Sequence, residues 1–147
     1  MTSWRDNTTE QTQNDVDEMV DAALNAAQKL LAENGEFLPF GLGVASDGVL
    51  RAFGVDESVL PAEPASKDVV EALQAGFASG RAELRAVAVV ADVRLKAGGG
   101  DAINVSLEHS EGPAMNVQLP YSRDVDSADI DYGEASATPG RRRIWGD

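Results

Sequence analysis

The chain reads as a single α+β domain, in αββαβββ order, with an antiparallel sheet. Three observations predict it: a long amphipathic stripe of helical period near the N-terminus, an Asp-Gly hairpin signal after it, and strict alternation through the last third. At 147 residues, 43% hydrophobic and 25% charged, the chain is long enough to bury one core without staples.

Residues 1–13 contain Asn7-Thr8-Thr9-Glu10-Gln11-Thr12-Gln13, polar and without apolar period, and are expected to form a flexible tail. From Asn14 onward, Val16, Met19, Val20, Ala23, Leu24, Ala27, Leu30 and Leu31 recur at spacings of three and four. That stripe is one face of a helix, with Asn14 or Asp15 as its expected cap and Asn34-Gly35 as its left-handed stop.

Phe37–Ala45 and Val49–Phe53 are apolar runs separated by Ser46-Asp47-Gly48, a hairpin signature because glycine tolerates positive φ. Pro39 cannot donate to a ladder, which favours an edge or the start of the strand. Pro39, Gly41 and Gly43 share one face, where another element is expected to approach closely.

Val59–Ala65 is a proline-punctuated connector, and Ser66 is the expected cap of a second helix carrying Val69, Val70, Leu73 and Phe77. Val87, Val89, Ala91, Val93 and Leu95 then alternate up to the loop Gly98-Gly99-Gly100-Asp101. Ile103, Val105, Leu107 and His109 follow, and after Ser110-Glu111-Gly112-Pro113 come Met115, Val117, Leu119 and Tyr121. Period two across two turns predicts a meander, hence five strands in all, with both helices against the apolar face. A profilin- or roadblock-like arrangement is the expected topology.

The main domain is therefore expected to span 14–123. Residues 124–147 divide into an acidic run, Asp124, Asp126, Asp129, Asp131 and Glu134, and a basic-aromatic end, Arg141-Arg142-Arg143-Ile144-Trp145, expected to dock on the domain.

Composition limits the chemistry. With no cysteine, thiol catalysis and zinc ribbons are excluded, and a single histidine excludes a multi-histidine zinc site. His109 is expected to be a strand-end histidine satisfied locally, a general base being the other reading. No G-x-S-x-G elbow occurs, and the triple glycine lacks the Lys of a phosphate loop. In the acidic run Asp129 stands where an EF-hand loop needs glycine, so a solvated loop is expected and divalent-cation binding is the minor alternative. No cofactor and no metal are expected.

The formal net charge of −13 repels phosphate backbones and anionic lipids. The expected partner is a protein, basic or a second copy of this chain, with neither nucleic acid nor membrane involved. A polar N-terminus without an apolar run predicts a cytoplasmic protein.

Glu36-Phe37-Leu38-Pro39-Phe40-Gly41 with Asp47-Gly48, and later Leu119-Pro120-Tyr121, resemble small uncharacterised bacterial proteins in which a helix precedes a "gEFxPFg…dG" hairpin and a strand ends in "Py". The resemblance implies a cytoplasmic non-enzymatic protein of adaptor or immunity-like type and carries over no functional residue.

The expected function is thus a non-enzymatic protein-interaction module. Its candidate surface comprises the polar strand positions Asn104, Ser106, Glu108, Asn116 and Gln118 together with Arg141, Arg142, Arg143 and Trp145. The alternative is a small-molecule sensor or minor enzyme with a pocket near Pro39, Gly41 and Gly43.

Overall fold

The computed structural model describes residues 8–55, 65–94, 100–123 and 129–145. Helix α1 spans Glu10–Asn34, starting a turn before the expected Asn14. Its cap is Thr9, whose hydroxyl accepts the Thr12 N–H at 3.1 Å, and its stop is Gly35 at φ 82°. Asp15, a candidate cap in the sequence, is instead buried on the inner face.

Strands β1 (Phe40–Ala45) and β2 (Leu50–Phe53) form the expected hairpin, with Gly48 at φ 88°. Helix α2 (Ser66–Gly80) follows, then a 3-10 turn at Arg81–Glu83. Ser66 does not cap α2: Ala65 holds that position, and the Asp68 carboxylate accepts its N–H at 2.9 Å. Strands β3 (Leu84–Arg94), β4 (Asp101–His109) and β5 (Ala114–Arg123) make the meander, and β6 (Ile130–Tyr132) and β7 (Ser136–Pro139) complete the sheet.

Among the described residues the sheet has seven strands, not five, in the order β2-β1-β3-β4-β5-β6, with β7 also on β5, and every pairing is antiparallel. β6 and β7 share one edge position, opposite 121–123 and 115–118 of β5 respectively. The gap between them faces Pro120, which has no N–H to offer; its carbonyl accepts the Gly133 N–H at 2.8 Å. All four residues of β7 are exposed, so no alternation marks it in the sequence. Backbone pairing alone makes it a strand.

The helices lie on opposite faces of the sheet rather than on one. α1 buries Val16, Met19, Ala23, Ala27 and Leu31 with Leu42, Val44, Ala86, Ala88, Val90, Ile103, Val105 and Leu107. α2 buries Val69, Leu73 and Phe77 with Val87 and Val89 from the other side. The physical reason is in β3, whose residues from Ala86 to Ala91 are all buried. Side chains alternate across it, so Val87 and Val89 face α2 while Ala86, Ala88 and Val90 face α1. On β4 the apolar set Ile103, Val105 and Leu107 faces α1, because Ala88 pairs with Leu107 and Val87 with Glu108. Among the described residues no helix is long and apolar enough to cross a membrane.

Candidate functional site

The groups with chemical potential gather at the end of β4, where Glu108 and His109 point to opposite faces. His109 is 1% exposed. Its Nδ1 accepts the Glu111 N–H at 3.0 Å, which leaves Nε2 to donate to Asp15 Oδ2 at 2.9 Å. The second oxygen of Asp15 accepts from Arg85 Nη2 at 2.7 Å. Arg85 reaches α1 because of a β-bulge: Val44 pairs with Ala86 but Ala45 with Leu84, so Arg85 is the extra residue and shares a face with Ala86. Both ring nitrogens of His109 are thus occupied inside the core. The arrangement locks α1 to the β3 and β4 ends and offers no acid–base group to a substrate.

On the other face Glu108, 4% exposed, receives the C-terminal strap. Its Oε1 accepts the Ile144 N–H at 2.9 Å, and its Oε2 accepts the Trp145 N–H at 2.7 Å. Ile144 is buried in the α2 cluster and Trp145 packs at its margin. Arg142 donates to the carbonyls of Gly112 (2.9 Å) and Ser110 (3.3 Å), and Arg81 donates to the Ile144 carbonyl at 3.0 Å. Arg141 and Arg143 are exposed.

The structure places Asn104, Ser106, Asn116 and Gln118 together, facing away from α1 in cross-strand pairs. They hydrogen-bond to one another: Asn104 Nδ2 to Ser106 Oγ at 3.0 Å, Ser106 Oγ to Asn116 Oδ1 at 2.7 Å, and Gln118 Nε2 to Asn104 Oδ1 at 3.1 Å. Glu108 does not join this face as an open group, since the strap covers it. What sequence reasoning missed is that a polar residue at outward parity can be buried by a returning terminus. The signal was the apolar pair Ile144-Trp145 at the end of a charged segment.

Over Gly41 and Gly43 the space is filled by aromatic rings, while Phe37, Leu38 and Phe40 beside Pro39 line a cleft of about 640 Å³. A Cβ on Gly41 would lie 2.7 Å from Phe77 Cζ, and one on Gly43 2.8 Å from Phe53 Cε2. Phe53 and Phe77 meet edge to face at 5.3 Å between centroids. The two glycines therefore serve the packing of Phe77 and Phe53, and a groove of about 1030 Å³ runs between α2 and β2. Phe53, Leu73, Phe77 and Leu84 give it an apolar lining, while Asp68, Glu71 and Glu83 supply three carboxylates against the single guanidinium of Arg51.

In the acidic run, Asp124 and Asp126 lie outside the described residues, as does Leu95 with Gly98 and Gly99 of the glycine loop and most of the proline connector. Among the described residues no group of three His, Asp or Glu side chains is placed to hold a metal ion. Comparison with protein-family models, curated proteins and solved structures finds no match.

Proposed function

We propose that the protein is a non-enzymatic protein-interaction module of adaptor or immunity-like type, acting in the cytoplasm and binding a basic partner through the groove between α2 and β2. The single observation that carries this reading is the groove itself: an apolar floor with three carboxylates against one guanidinium, on a chain of net charge −13. A floor of that kind rewards burial of apolar side chains, while the acidic margin selects a cationic surface and speeds its approach. The profilin- or roadblock-like arrangement read from the element order remains part of this proposal.

The polar face of β4 and β5 supports the reading less well. Its side chains already bond one another three times, so a partner has to compete with those bonds.

The test is photocrosslinking from a reactive side chain placed at Ala75, on the groove side of α2, compared with one at Ser106 on the polar face. The expected product is one defined adduct from position 75, weakened by high salt because exposed charges are screened within about 8–10 Å at ordinary ionic strength. Adducts from Ser106 alone, or adducts indifferent to salt, would overturn the groove assignment.

A further inference from the structure

The C-terminal strap sits on α2's other flank in a manner that has the parts of peptide recognition. Glu108 presents both carboxylate oxygens to two successive backbone N–H groups, those of Ile144 and Trp145. Such charge-assisted bonds to main chain are stronger than neutral ones and read no side chain. Specificity comes from two flanking contacts. Ile144 enters the cluster of Leu73, Phe77, Val87 and Val89, and Arg142, two residues earlier, donates to the carbonyls of the Ser110–Gly112 turn. Arg81 closes the frame on the Ile144 carbonyl.

We propose that this surface is a docking socket for an extended basic peptide segment, Arg-x-Ile-Trp in type, that the chain's own residues 140–145 fill in cis, and that a partner protein's segment of the same chemistry displaces them. Three observations support displacement. The strap's anchors are confined to a few residues, and it is tethered through β7, whose four residues are all exposed. A cleft of about 210 Å³ stays open beside Ile144, bordered by Gln74, Ser106, Asn116 and Arg143, which leaves room for an entering chain. The acceptors that hold the strap, the Glu108 carboxylate and the carbonyls of Ser110 and Gly112, are met equally well by any segment that carries the same arginine and the same backbone N–H groups. The cis strap lowers apparent affinity by the fraction of time it occupies the socket, which makes binding conditional on its release.

The socket borders α2 on the β4 side and shares Leu73 and Phe77 with the groove, so Val87, Val89 and Ser106 are the residues that tell the two apart. The experiment uses the full chain and, as probe, a fluorescently labelled, amidated peptide of residues 140–145, Gly-Arg-Arg-Arg-Ile-Trp. Anisotropy titration is run on the wild type, on Ile144→Gly and on Ile144→Gly with Glu108→Gln. A peptide of the same composition in scrambled order is the control. The expected result is binding to Ile144→Gly at least tenfold tighter than to the wild type, loss on adding Glu108→Gln, and no tight binding of the scrambled peptide. As a readout that survives poor folding of the double variant, amide shift changes on adding probe to Ile144→Gly are expected at Val87, Val89 and Ser106, none of which lines the groove. Equal binding of the scrambled peptide, or shifts confined to the Arg51–Glu83 groove, would overturn the socket. A wild-type dimer by light scattering that Ile144→Gly abolishes would also overturn it, by making a second copy the occupant.

Discussion

Glu108 and His109 are neighbours in β4, yet each holds a different end of the chain: His109 bonds Asp15 of α1 on one face, and Glu108 bonds the backbone of Ile144 and Trp145 on the other. Alternation of side chains along a strand makes this division automatic. One strand end thereby fastens the N-terminal helix and the C-terminal strap to the same sheet, and the chain's one histidine is committed to that task.

Asp15 is the hub of the first fastening. Asp15→Ala leaves a guanidinium and an imidazole without their buried acceptor and is expected to cost about 3 kcal/mol, as removal of one partner of a buried pair does. Because the cost is mostly the stranded charge, Asp15→Ala combined with Arg85→Met should recover part of it. Urea denaturation of the two variants measures this; a double variant as unstable as the sum of its parts would contradict the network.

Gly41 exists to admit Phe77. Gly41→Ala brings a methyl to 2.7 Å from the ring and is expected to destabilise by about 1–3 kcal/mol through overpacking. Phe77→Leu shortens the opposing side chain, so the double variant should lose less than the two single losses added together. Additivity in a thermal-denaturation cycle would mean that the two positions do not meet.

Gly140 turns the chain from β7 into the strap, and its Cβ position lies 2.9 Å from Met115 N, 3.0 Å from Met115 Cα and 3.1 Å from Met115 C. Backbone cannot yield as a side-chain tip can. Gly140→Ala is expected to speed amide exchange at Ile144 and Trp145 at least tenfold, whereas Gly133→Ala, whose nearest neighbour is 3.6 Å away, should alter it little. Equal effects from the two substitutions would show that the close approach does not hold the strap.

Ser106 joins the polar ladder by accepting from Asn104 and donating to Asn116. Ser106→Ala is expected to cost about 1 kcal/mol of stability, the worth of a typical net hydrogen bond, and to leave partner capture unchanged. Loss of capture at unaltered stability would instead make the ladder the binding surface.

Local signals were enough for much of the architecture. The stripes from Val16 to Leu31 and from Val69 to Phe77, the Asp47-Gly48 turn and the alternation from Val87 to Tyr121 each state a period and a boundary, and these give the two helices, the hairpin and the meander. β7 was not legible because Ser136–Pro139 buries nothing, and its only reason to be extended is the edge of β5. The bulge at Arg85 was equally hidden, since an extra residue in a ladder is defined by its partner strand.

The candidate site divides the same way. Sequence alone could show that His109 stands at inward parity and that Ile144-Trp145 follows three arginines, because these are properties of spacing and composition. Only the tertiary structure decided that Val87 and Ala88 serve different helices, that Glu108 is buried under a returning strap, and that aromatic rings rather than a ligand occupy the face of Gly41 and Gly43. The physical reason is that parity assigns a residue to a face, whereas what covers that face depends on contacts between segments far apart in the chain.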